Sequence, residues 1–181
     1  MDIKGIQGVL NSLNNMDKVA RQVPTIVGQT ATNFYKERFR HQNWVDTGTE
    51  PWKPRKQNTW TKQNNRGKAI LVQSGALKRS IRVISKSSKR VVVGSVNIPY
   101  AEVHNEGYRG PVKQRVKSFR RKAHTRTLSN GEVRGFLPQQ VKAHSRTLHV
   151  NIPKRQYMGG SKVLDRRIER MIIHRIIKAS K

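Results

Sequence analysis

The sequence predicts an α+β fold: an antiparallel sheet packed against two or three helices, with a long β-hairpin arm inserted. Three observations predict it. Apolar residues recur at helical spacing near both ends of the chain, in residues 2–14, 24–40 and 161–177. Residues 71–107 instead read turn, strand, strand, short helix. Residues 109–150 are basic and alternate in the period of a strand around one tight-turn signal.

Composition bounds the class of protein. The 181 residues suffice for one domain with a core, or one domain and an arm. Only 34% are hydrophobic, low for a globular chain of this size. Lys and Arg number 38 against 10 Asp and Glu, a formal charge of +28. Self-repulsion at that charge calls for an acidic protein or polyanionic neighbour. The absence of cysteine excludes a disulfide scaffold, cysteine-ligated zinc and thiol catalysis, and it fits assembly in a reducing cytoplasm. No apolar run reaches the roughly 20 residues that span a bilayer, and residues 1–13 lack the apolar core of a signal peptide. The expectation is a soluble, non-secreted chain without membrane contact.

In chain order, Ile3, Ile6, Val9, Leu10 and Leu13 trace the stripe of a short amphipathic helix that needs a partner surface. Pro24 suits the first position of a second helix, whose face carries Val23, Ile26, Val27, Thr30, Phe34 and Arg38, with a break expected just ahead of the proline. Periodicity then disappears over residues 43–68. Trp44, Trp52 and Trp60 stand eight apart in a basic loop, and Trp44 and Trp52 are expected to cover the edge of a core. Ser74-Gly75 turns into Leu77 and Ile81. The β-branched runs 81–84 and 91–93 form a hairpin, and a short helix follows Pro99 and stops at Gly107, where positive φ is expected. Leu77, Ile81, Val83, Val91, Val93, Tyr100 and Val103 are the expected core of this unit. The last helix starts at Ser161 as N-cap, with Val163 or Leu164, Ile168, Met171, Ile172 and Ile176 inward.

Residues 109–150 carry eleven Lys or Arg against the single Glu132, a net +10. They contain a near-repeat, Ala123-His124-Thr125-Arg126-Thr127-Leu128 and Ala143-His144-Ser145-Arg146-Thr147-Leu148, with Ser129-Asn130-Gly131-Glu132 as the turn. One side of this arm reaches about 55 Å if fully extended, so it is expected to pack on neighbours. The expected domains are therefore a core of residues 1–108 with 151–181 and an arm of residues 109–150. The arm's expected contact residues are Arg120, Arg121, His124, Arg126, His144 and Arg146.

Four stretches carry a resemblance: Gly75-x-Leu77-x-x-Ser80-Ile81, the strand ending in Gly94-Ser95, Tyr100-Ala101-x-x-His104-x-x-Gly107, and Ile152-Pro153-x-Arg155-x-Tyr157-x-Gly159. In this order they resemble the phage virion-morphogenesis (tail-completion) family of the Mu-like kind, with Tyr157 where an aromatic is usual. The resemblance implies a tail-completion or neck protein that closes the tail tube and joins it to the head. It further implies a homo-oligomeric ring, hexameric or larger, with neighbouring neck and tail-tube proteins as partners and DNA in the channel as a non-specific contact. It makes Gly75, Leu77, Ser80, Ile81, Tyr100, Ala101, His104, Gly107, Pro153, Arg155 and Tyr157 the family-motif structural residues. The arm departs from the family pattern.

No motif supports an enzyme. Ser74, His104 and Asp46 could be assembled into a triad only without a nucleophile elbow. Gly159-Gly160 lacks the Lys-Ser/Thr of a phosphate loop. Few carboxylates argue against a metal-dependent nuclease. The expectation is no catalytic residue, no metal and no cofactor. The competing class is a non-enzymatic basic nucleic-acid-binding module, supported by the charge and the tryptophan loop but by no readable motif.

Overall fold

The computed structural model describes residues 3–55 and 68–180. Trp60 and the basic Lys56, Lys62 and Arg66 lie outside the described residues. The chain divides into two compact units, Met1–Gly107 with Pro153–Lys181, and Tyr108–Ile152. Among the described residues no helix is long and apolar enough to cross a membrane.

The first unit is built on one helix, α1 (Ile3–His41), 39 residues and about 58 Å long. The two separate helices expected from the sequence are thus a single helix that runs through Pro24. The ring of Pro24 fixes φ near the helical value and sacrifices one hydrogen bond to the carbonyl four residues earlier. Burial of the following turns outweighs that loss: Thr30, Ala31, Phe34, Arg38 and Phe39 are all buried. Arg38, Arg40 and His41 in the last turn suit the negative end of the helix dipole.

A small antiparallel hairpin follows, β1 (Asn43–Val45) with β2 (Thr49–Pro51). Helix α2 (Ala76–Ser80) starts at Gly75, whose φ of +71° is the left-handed conformation glycine tolerates. It leads directly into β3 (Ile81–Lys86), paired antiparallel with β4 (Val91–Ser95) around a register shift between Val83 and Ser85. Helix α3 (Ala101–Glu106) ends at Gly107, with φ +79° as expected. Helix α4 (Lys162–Ala179) is capped by Ser161, whose Oγ accepts from the backbone N–H of Leu164 at 3.2 Å.

The expected sheet with further strands is not formed. Among the described residues every ladder has two strands, and the β3–β4 hairpin is completed by α1 laid on its face. Gly28 permits that approach, since a β carbon there would stand 2.7 Å from Val83 Cγ2 and 3.3 Å from Val91 Cγ1.

Two buried clusters hold this unit together. One gathers Phe39, Trp52, Leu77, Ile81 and Tyr157; the other gathers Ala31, Phe34, Trp44 and Leu164, and Tyr35 packs against both. Trp44 and Trp52 are therefore core residues, each 6% exposed. Three expectations fail. Val83, Val91 and Val103, expected in the core, are half-buried and belong to neither cluster. Tyr100 is exposed, because it stands at the start of α3 with its ring edge-on to His104 at 5.6 Å and with neither core cluster around it. The inward stripe of α4 is covered at Leu164 and Ile168 and half-buried at Ile172, while Met171 and Ile176 remain exposed.

The second unit is one long hairpin in three ladders. β5 (Tyr108–Val116) pairs with β10 (His144–Ile152), β6 (Phe119–Arg121) with β9 (Gln139–Val141), and β7 (His124–Thr127) with β8 (Val133–Phe136). The register never slips. It runs from Tyr108 opposite Ile152, through Phe119 opposite Val141, to Thr127 opposite Val133. The tip is the expected turn: Leu128 N–H donates to the Glu132 carbonyl at 2.8 Å, Asn130 Oδ1 accepts from the Glu132 N–H at 3.1 Å, and Gly131 takes φ +86°.

Candidate functional site

In the first unit, segments far apart in sequence meet where the family-like motifs fall. Tyr157 is fully buried, its ring 5.0 Å from that of Phe39, and its hydroxyl donates to the Ala101 carbonyl at 3.0 Å. The backbone N–H groups of Tyr157 and Met158 both donate to Asn105 Oδ1 at 3.0 Å, and Asn105 Nδ2 returns a bond to the Met158 carbonyl at 3.2 Å. The Arg155 N–H donates to the His104 carbonyl at 2.9 Å. Residues 153–159 are thus fastened along α3 by backbone and side chain together. From the other side, Trp52 Nε1 donates to the Gln156 carbonyl at 2.7 Å.

Arg155 is a buried guanidinium held by carbonyls. Its Nε donates to Lys53 O at 2.9 Å and its Nη2 to Pro54 O at 3.2 Å. Arg55 makes the same kind of contact, to Lys68 O at 2.8 Å and Ala69 O at 2.7 Å. Burial first, and then the charge of Arg55, push the pKa of Arg155 below its ordinary value. Burial and then the charge of Arg155 likewise lower the pKa of His104 below its ordinary value. His104 Nδ1 is buried without a hydrogen-bond partner among the described residues. A cavity of about 440 Å³ lies beside these groups, lined by Arg55, Leu71, Ser74, Leu77, Tyr100, His104 and Arg155 among others.

The remaining motif residues shape the backbone. Ser80 Oγ lies 2.8 Å from the Leu77 carbonyl and 2.6 Å from Ser95 Oγ, tying α2 to β4. Gly75 at the start of α2 and Gly107 at the end of α3 take positive φ, Ile81 and Leu77 fill the core, and Pro153 is half-buried. Asp46 does not join Ser74 and His104 around the cavity. Its Oδ1 accepts from the Lys162 N–H at 2.7 Å, at the start of α4, so the triad considered from the sequence is not assembled. Among the described residues no three His, Asp or Glu side chains gather as a metal site requires.

In the second unit the two copies of the repeat fold alike but lie apart. His124 and Arg126 belong to the tip ladder, and His144 and Arg146 to the ladder at the root. His144 stands opposite Val116, eight residues along the same strand from His124, which is about 26 Å of extended chain. In each copy the histidine Nδ1 faces the carbonyl two residues earlier, Lys122 at 3.3 Å and Lys142 at 2.9 Å. A carbonyl only accepts, so each of these contacts is a hydrogen bond in the tautomer with the proton on Nδ1.

At the tip, His124 stacks on Phe136 at 5.1 Å, and Arg126 lies directly opposite Arg134. Like charges in register repel, so the tip invites an anionic group between them. At the root, Arg146 Nε donates to Gln114 Oε1 at 2.9 Å. Arg120 and Arg121 are successive residues of β6, so they point to opposite faces and do not act together.

The phage virion morphogenesis family matches residues 1–177. The chain belongs to that family. It is an assembly protein of a bacteriophage virion. No curated protein and no solved structure matches the chain.

For this virion morphogenesis protein, sequence reasoning missed Asn105, Arg55 and Arg134. Asn105 sits in a helix with nothing to mark it, and its role emerges only when residues 157 and 158 come alongside. Arg134 was legible: counting outward from the Gly131 turn sets it opposite Arg126.

Proposed function

We propose that this protein completes the phage tail, as a non-enzymatic subunit of a homo-oligomeric ring that ends the tail tube and joins it to the head at the neck. The arm carries the reading. Across Tyr108–Ile152 no residue is buried, and the segment from 109 to 150 holds a net +10. A two-stranded ribbon is marginally stable alone in water. An exposed, charged ribbon of this length is therefore built to be covered by neighbours. In this account the first unit forms the body of the ring. The arm grips adjacent neck and tail-tube proteins, and its basic residues meet their acidic surfaces or, non-specifically, the DNA.

The test pairs assembly with DNA retention. Replacing Arg126 and Arg146 together should impair tail completion scored by electron microscopy. Filter retention of DNA should barely change, since 2 of 38 basic residues are lost. Retention should also collapse with salt, because it rests on counterion release.

The Arg126–Arg134 pair favours a second reading, a polyanion-binding module. Sequence-selective retention that persists at high salt, with normal tail completion by the double variant, would establish that reading instead.

A further inference from the structure

The longest helix of the molecule outruns its own chain. The contacts of α4 show that it runs back along α1. It begins at the β1–β2 hairpin that follows α1, where Ser161 Oγ donates to the Val45 carbonyl at 2.8 Å. Leu164 then packs with Ala31 and Phe34, and Ile168 shares a cavity wall with Val27 and Ala31. With 18 residues, α4 covers about 27 Å of the roughly 58 Å of α1. Starting opposite Phe34, it ends near residue 17, and the turns before that extend past it.

Those turns carry exposed leucines among uncharged polar residues. Leu10 is 48% exposed and Leu13 57% exposed. Leu10 lies 18 residues before Gly28, and Leu13 18 residues before Ala31, five whole turns of α1 in each case, so both continue the face that α1 packs against the rest of its unit. Residues 5–16 also contain none of the chain's 38 Lys and Arg or 10 Asp and Glu.

We propose that this overhang of α1, centred on Leu10 and Leu13, is covered by a second copy of the same chain. Charge selects the occupant. Two copies at +28 each repel one another over most of their surface, and a charge-free apolar stripe is where they can touch without that cost. An acidic partner would be drawn to the basic surfaces elsewhere on the molecule, and this charge-free stretch adds nothing to that attraction. The end of α4 supplies a matching surface in Ile173 and Ile177, an i, i+4 pair 54% and 52% exposed. A ring needs two different surfaces that meet head to tail. The overhang of one copy on the Ile173–Ile177 ridge of the next satisfies that need. The inference rests on the proposed ring and names the contact that closes it.

The experiment is analytical ultracentrifugation of the full chain, wild type and Leu10→Asn/Leu13→Asn, across salt, with thermal unfolding as a check on the fold. The wild type should self-associate, and the association should hold or strengthen as salt screens the like charges. The double variant should keep its melting temperature and associate about 100-fold more weakly, as loss of two apolar anchors implies. Ile173→Asn/Ile177→Asn should behave the same way. An equimolar mixture of the two double variants should form a one-to-one dimer, because one intact surface remains on each. A wild type that stays monomeric, association that falls as salt rises, or a Leu10→Asn/Leu13→Asn variant that sediments as the wild type does would each overturn the inference. If that variant still forms rings and completes tails, the tail-completion reading stands and this contact alone is lost. If the wild type self-associates but completes no tails, the contact stands and the tail-completion reading falls.

Discussion

The Tyr157 hydroxyl donates to the carbonyl of Ala101, 56 residues earlier, across 3.0 Å in the middle of the core. Burial, with smaller contributions from Glu106 and Tyr100, pushes its pKa up to about 12. The folded chain thus holds this proton more tightly than the unfolded chain, whose tyrosine titrates near 10. The stabilisation is fully present below pH 10 and is lost as pH rises from about 10 to about 12. Tyr157→Phe removes the group. The melting-temperature difference between wild type and variant should therefore shrink across that interval, and a difference that stays constant would contradict the assignment.

Leu77 is 3% exposed between Phe39, Trp52, Ile81 and Tyr157. Leu77→Ala should cost about 2–5 kcal/mol in denaturant unfolding, the range for a leucine truncated in a packed core. A wild-type midpoint would mean that this cluster does not hold the unit.

Gly28 lies where α1 packs on the β3–β4 hairpin. Gly28→Leu should destabilise by about 1–3 kcal/mol, because Val83 Cγ2 stands 2.7 Å from the new β carbon. Val83→Ala in the same chain should recover part of that loss. A double-mutant cycle measures the recovery, and strict additivity would deny the contact.

Local signals are legible where one residue has one physical role. Gly107 needs positive φ, Ser161 has a free N–H to cap, and Asn130-Gly131 turns a hairpin; each is readable from the amino-acid order alone. What depends on a distant partner is not. Pro24 signals a helix start, yet the buried residues beyond it keep one helix running through it. Tyr100 has the composition of a core residue but lies outside both clusters. The strand pattern of residues 81–95 promises a sheet, and only tertiary packing reveals that a helix occupies that face. In the candidate site, the motif spacing locates Tyr157 and Arg155. Asn105, which joins their segment to α3, carries no sequence signal of its own.

The central claim is that the arm serves assembly and the first unit folds without it. Deleting residues 112–148 and closing the gap with a short Gly-Ser linker tests both halves at once. Circular dichroism should show a folded domain with cooperative unfolding, while electron microscopy of phage carrying only this variant should show tails left uncompleted. An unfolded variant would make the arm part of the core, and a folded variant that completes tails normally would contradict the account.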